Sequence, residues 1–276
     1  MPELPEVETV CRGLALKLEG RALARVEARR RDLRQPLPRD FVRRLTGRRV
    51  DRIARRAKYI LMHLDDQTVL IAHLGMSGRM VVAADPAAPF DAHDHVVFTT
   101  DAGVSIRFND ARRFGLMTLA RADELDGHPL LVGIGPEPLG NEFNGRALAE
   151  RLAGKATPIK AALLDQTVVA GVGNIYACEA LFQAGLSPRR LARTVQGDRA
   201  ERLAHAVRDV LTRAIAAGGS SLRDHVQPSG ELGYFQHAWA VYGREGEPCL
   251  GCDCDGAIRR LVQSNRSTFY CAKRQR

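Results

Sequence analysis

A proline stands second in this chain, between Met1 and Glu3. A small second residue permits removal of the initiator methionine, which frees the Pro2 secondary amine. An α-amino group titrates near ~7.7–8.0, against ~10.4 for a lysine, so part of it is an uncharged nucleophile at neutral pH. Attack of such an amine on a sugar C1′ gives an iminium ion, a Schiff-base electron sink for later eliminations. Glu3 lies beside it and Glu6 one helical turn on, so a carboxyl is placed to protonate an opening sugar or to relay protons. The same residues also suit a helix start, where proline and glutamate are favoured for backbone and dipole reasons. Composition by itself favours that plainer role.

Cysteines form the second candidate centre. Of the six, Cys11 and Cys178 sit alone in apolar helical patterns and read as buried small hydrophobes. Cys249, Cys252, Cys254 and Cys271 crowd the last 28 residues, which in a cytosolic chain suggests metal before disulfide. A structural zinc site needs four donors. These four thiolates could supply them, although Cys252-Asp-Cys254 is close for one tetrahedral ion.

The elements that must hold these groups are legible as periodicities. Val7, Val10, Leu14 and Leu18 form the stripe of an amphipathic helix over 5–18, with Gly20 as its stop. From about residue 22 the pattern changes to short β-rich runs: YILMHL at 59–64, TVLIAHL at 68–74, HVVFTT at 95–100 and VSIRF at 104–108. They predict an antiparallel sandwich fronted by one helix. GIGPEPLGNEF, 133–143, reads as a linker. Beyond it helices are expected over 144–153, 158–167, 174–184 and 198–217, with Gly171-Val-Gly173-Asn174 as a tight turn. The chain of 276 residues has 41 Lys and Arg against 32 Asp and Glu, a net +9. That excess favours a polyanionic partner. No apolar run approaches the ~20 residues a membrane span needs, and MPELPEVETV lacks the basic and apolar segments of a signal peptide. A cytoplasmic protein is expected.

MPELPEVET resembles the start of the formamidopyrimidine-DNA glycosylase family, and the likeness runs through most of the chain. It includes RRAKYIL at 55–61, AHLGMSGRM at 72–80, NDARRFG at 109–115, GIGPEPLG at 133–140, TPIKAALLDQ at 157–166, VAGVGNIYACEALF at 169–182, GYFQHAWAVYGREGEPC at 233–249 and NRSTFYC at 265–271. Family order and spacing make the set specific. The resemblance implies an α+β multidomain protein. An N-terminal helix and antiparallel β-sandwich would span 1–132, and 133–143 would link it to a helical, helix-two-turn-helix DNA-binding domain at 144–240. A small β-hairpin zinc finger would follow at 241–276.

The resemblance also assigns roles. Pro2 matches the nucleophile, Glu3 its acid/base partner, Lys58 a lysine near the reacting sugar, and Arg266 an arginine that grips the lesion phosphate and assists δ-elimination. Met76, Arg112 and Phe114 match side chains pushed into the duplex where a base has been extruded. His93, Lys155, Lys160 and Asn174 match DNA contacts, and residues 218–235 a loop that caps the extruded base. One structural Zn2+ is implied, yet Arg274 occupies the usual fourth-cysteine position. The implied function is a bacterial, nucleoid-associated monomer that excises 8-oxoguanine and formamidopyrimidines from double-stranded DNA through a Pro2 Schiff base. The strand is then cleaved by β,δ-elimination. Action on oxidised pyrimidines, as in the endonuclease VIII branch, and a non-catalytic zinc-stabilised DNA-binding protein are the rival readings.

Overall fold

A computed structural model describes residues 1–220, 233–252, 254 and 256–276. Two compact units result: Met1–Val132 with Ala217–Tyr234, and Gly133–Ala216 with Phe235–Arg276.

The first unit opens with α1 (Leu4–Leu18), followed by β1 (Arg25–Ala28) and a short α2 (Phe41–Leu45). The strands β2 (Val50–Arg56), β3 (Tyr59–Leu64), β4 (Thr68–His73), β5 (Arg79–Val82), β6 (Asp94–Thr99), β7 (Ser105–Asn109) and β8 (Leu116–Arg121) follow. They form two four-stranded antiparallel sheets, β2-β3-β4-β8 and β1-β6-β7-β5. The expected runs at 59–64, 68–74, 95–100 and 104–108 are β3, β4, β6 and β7, within a residue at each end. Side chains from both sheets and from α1 share one core, in which Val7, Val10, Leu14 and Leu18 meet Ile60, Met62, Leu70, Phe98 and Phe108. This is the sandwich with a helix that the short β-rich runs predict.

Why α1 starts where it does bears on the site. Pro5 sits in its first turn, where no N–H is needed, and Glu6 accepts a hydrogen bond from the Glu3 N–H at 2.9 Å. The second Glu6 oxygen accepts from the Ser220 N–H at 2.8 Å. Glu6 therefore acts as a cap and a clasp.

In the second unit α3 (Gly145–Leu152), α4 (Ile159–Leu164), α5 (Asn174–Gln183) and α6 (Asp198–Ala216) precede a hairpin of β9 (Arg259–Gln263) and β10 (Arg266–Tyr270). The α5 helix is buried on nearly every side, as its all-round apolar sequence requires, and α4, α6 and β10 pack on it. Ser264 and Asn265 take φ of +49° and +57°, the geometry of a two-residue hairpin turn that leaves Arg266 at the tip. Among the described residues no helix is long and apolar enough to cross a membrane. Of the expected base-capping loop, residues 221–232 lie outside the described residues.

Candidate active site

Pro2 and Glu3 are buried just ahead of α1, with Glu3 only 4% exposed. Lys58 lies in the turn between β2 and β3, after Ala57 at φ +52°, and is 6% exposed. Both strands pack against α1. Arg55 ties the pieces together: its Nε donates to Glu8 of α1 at 2.9 Å and its Nη1 to the Ala57 carbonyl at 3.0 Å. Burial alone would push the Glu8 carboxyl up, but the Arg55 and Arg12 guanidiniums reverse that and hold it below its usual range. Sequence reasoning passed over Arg55 because it stands in an arginine-dense run. Its only signal is its place three residues before Lys58.

His73, at the end of β4, closes this side of the unit. Burial, then the Lys58 and Arg34 cations, depress its pKa to about 4. Its Nδ1 accepts from the Gly75 N–H at 2.9 Å, which requires the neutral ring. The turn that follows presents Met76, 42% exposed, and the loop after β7 presents Arg112 and Phe114, the latter also 42% exposed. The Arg112 guanidinium lies over the Phe114 ring, 4.7 Å from its centroid. A core role for Met76 or Phe114 does not fit that exposure. His93 is exposed on the segment before β6, and its carbonyl accepts from the Asp110 N–H at 3.0 Å.

In the second unit the hairpin tip is held from two helices. Lys160 of α4 donates to Thr268 Oγ1 at 2.7 Å and to the Ser267 carbonyl at 3.2 Å. Asn174, first in α5, donates to the same carbonyl at 2.9 Å. At 0% exposure Lys160, matched by the resemblance to a DNA contact, anchors the hairpin. The reason is topological, since β10 brings the Ser267 carbonyl and Thr268 hydroxyl to its ammonium. Among the described residues no partner reaches Asn174 Oδ1, which is buried at the N-terminus of α5. Lys155 is half-buried and pairs with Asp165 at 3.4 Å. Arg266 is exposed.

The cofactor expectation is corrected by the cysteine geometry. The ligand atoms of Cys249, Cys252, Cys254 and Cys271 all lie within 4.8 Å of one another. Among the described residues every candidate ligand is thus a cysteine, and the position held by Arg274 contributes none. A guanidinium has no lone pair to offer a cation. That of Arg274 instead donates to the Phe182 carbonyl at 3.1 Å and the Gly251 carbonyl at 2.6 Å. Cys252, extra by the family spacing, is the sulfur that completes the set. A tetrahedral zinc with ~2.3 Å bonds sets sulfurs about 3.8 Å apart. The 3.7 Å Cys252–Cys271 and 3.6 Å Cys254–Cys271 edges approach that value, whereas Cys252–Cys254, at 2.9 Å, shows the crowding of their spacing. Burial opposes ionisation of Cys271, but N–H groups of Arg274 and Lys273 prevail and lower its pKa to about 7. Four thiols so disposed are capable of coordinating Zn2+. By contrast Cys11 is pushed up to about 12 by burial and is inert.

Comparison with known proteins agrees with this geometry. Residues 1–117 match the formamidopyrimidine-DNA glycosylase N-terminal domain, and 134–226 match the H2TH domain of the same enzymes. The chain is 62% identical to a formamidopyrimidine-DNA glycosylase of Rhodospirillum centenum, over all of both chains. It is also similar to the MutM (Fpg) structure from Thermus thermophilus, with 40% identity and a TM-score of 0.87 over 99% of this chain and 98% of that one. A Lactococcus lactis Fpg mutant bound to Fapy-dG-containing DNA gives a TM-score of 0.90 at 33% identity, over 99% of each chain.

Proposed function

The chain belongs to the formamidopyrimidine-DNA glycosylase family, and from that premise we propose that Pro2, Glu3, Lys58 and Arg266 carry its reaction. The protein is an enzyme of base excision repair, a glycosylase and AP lyase acting on oxidised purines and formamidopyrimidines in duplex DNA. Once Met1 is removed, the Pro2 nitrogen forms a bond to C1′ of the damaged nucleotide as the glycosidic bond breaks and the base departs with its electron pair. Glu3 protonates the ring oxygen, the sugar opens, and an iminium ion links enzyme to DNA. Loss of a C2′ proton to a base expels the 3′ phosphate, a step that Lys58 assists by neutralising charge. Loss of a C4′ proton then expels the 5′ phosphate, which Arg266 holds, and water hydrolyses the iminium to release the sugar fragment and free Pro2. One nucleoside is lost and both new ends carry phosphate.

The observation that carries this reading is the burial of a carboxyl and an ammonium, Glu3 and Lys58, at the start of α1 and in the turn of the strands packed on it. Met76, Arg112 and Phe114 would fill the gap left by the extruded nucleotide, and His93, Lys155 and Asn174 would bind phosphates. Lys160 serves through the hairpin. In functional terms residues 1–132 supply the chemistry, 144–240 the helical DNA grip and 241–276 the phosphate-holding hairpin, with 133–143 between them. Chromosomal DNA as substrate places the protein in the cytoplasm with the bacterial nucleoid. One lesion calls for one copy, so a monomer is expected.

Borohydride reduction on 8-oxoguanine duplex tests the nucleophile. Wild type is expected to be trapped covalently. Pro2→Gly, or a preparation that retains Met1, is expected to lose both trapping and nicking. Glu3→Gln is expected to slow excision by about 10²–10⁴-fold, the usual worth of a placed acid or base. Trapping at the wild-type rate by a chain that retains Met1 would dismiss Pro2 as the nucleophile.

A further inference from the structure

Three exposed side chains on two separate turns take their positions from the backbones that carry them. We propose that Asp110 is the positioning residue that keeps Met76, Arg112 and Phe114 in one constellation, an inference that rests on reading those three as the duplex wedge.

Asp110 follows β7 and is fully buried. Each carboxylate oxygen reaches a different turn. Oδ1 accepts from Ser77 Oγ at 2.5 Å, one residue after Met76, and Oδ2 accepts from the Gly115 N–H at 2.8 Å, one residue after Phe114. Ser77 Oγ in turn accepts from the Arg112 N–H at 3.2 Å, so the third wedge residue is tied through the same hydroxyl. The backbone of Asp110 is held as firmly: its carbonyl meets His95 Nε2 at 2.8 Å and its N–H donates to the His93 carbonyl.

Backbone packing supports the clasp. Gly75 sits at φ +64°, and a Cβ there would lie 2.3 Å from the Phe114 carbonyl carbon and 2.5 Å from the Gly115 nitrogen. A Cβ on Gly115 would meet the Phe108 ring at 2.5 Å. The two turns therefore touch main chain to main chain, and the Asp110 carboxylate bridges them. An asparagine replaces it only in part. With its one oxygen on the Gly115 N–H, its NH2 faces the Ser77 hydroxyl, whose proton then loses its charged acceptor.

Asp110→Asn tests this on two substrates, with Ser77→Ala as a milder variant that leaves no buried donor stranded. Excision of 8-oxoguanine from duplex requires the stack to be opened and refilled. Strand cleavage at a preformed abasic site in single-stranded DNA, at saturating enzyme, does not. Asp110→Asn is expected to lower kcat/KM for duplex excision by about 10- to 100-fold, the worth of a charge-assisted hydrogen bond, and to leave single-strand cleavage unchanged. Ser77→Ala should follow with a smaller loss. In a Met76→Ala/Arg112→Ala/Phe114→Ala background, Asp110→Asn should add nothing. Equal losses on both substrates, or a full additional loss in the triple background, would overturn the proposal. A triple variant as active on duplex as wild type would instead remove the wedge reading beneath it.

Discussion

His73 shows how one side chain registers its surroundings. Its pKa is depressed from 6.5 to about 4 by burial and by the Lys58 and Arg34 cations, so between those values the unfolded chain binds a proton that the folded chain refuses. Stability contributed by the neutral ring is complete above about pH 6.5 and is lost as pH falls towards 4, by at most on the order of 3 kcal/mol. His73→Asn keeps an acceptor for the Gly75 N–H and removes the titration. Urea midpoints of wild type and variant should converge at pH 7 and separate towards pH 4.5, the variant losing less. Parallel pH curves would show that His73 does not report this environment. The cysteines give a second prediction at the same scale. Cys252→Ser should lower bound metal in the purified protein, read by native mass, whereas Arg274→Ala should not. Metal retained in full by Cys252→Ser would remove Cys252 from the ligand set.

At the scale of elements, this fold positions function by bridging through buried polar side chains. Lys160 joins α4 to β10, Arg55 joins α1 to the Lys58 turn, and Glu179 of α5 accepts N–H bonds from Ala240, Val241 and Tyr242 at 2.8 to 3.0 Å. Lys160→Met conserves length and removes the donor, leaving Thr268 Oγ1 and the Ser267 carbonyl short of one bond. Stability should fall by about 1–3 kcal/mol in denaturant unfolding, and the abasic-site nick should weaken as Arg266 loses its register. An unchanged denaturation midpoint with unchanged nicking would make the anchor dispensable. None of these bridges is visible as a periodicity, since each joins residues far apart in sequence.

For the whole molecule, the net charge of +9 sets how the duplex is gripped. Some six phosphate contacts would give a log–log slope of affinity against salt of about −5. A slope near zero on an abasic-site duplex would deny the electrostatic share. Local chemistry let much of the architecture be read in advance: the stripe of α1 and four helical periods depend only on which residues recur at i+3 and i+4, and β3, β4, β6 and β7 on short β-rich runs between turn residues. The motif residues were equally plain, because short runs such as NDARRFG carry their identity in order. Burial and partnership were not. Lys160 reads as one more cation until β10 meets it, Asp110 as one more acid until two turns close on its oxygens, and Cys252 as extra to the family spacing until the chain brings it among the other three sulfurs. Those outcomes depend on which distant segments meet, and only tertiary packing chooses that.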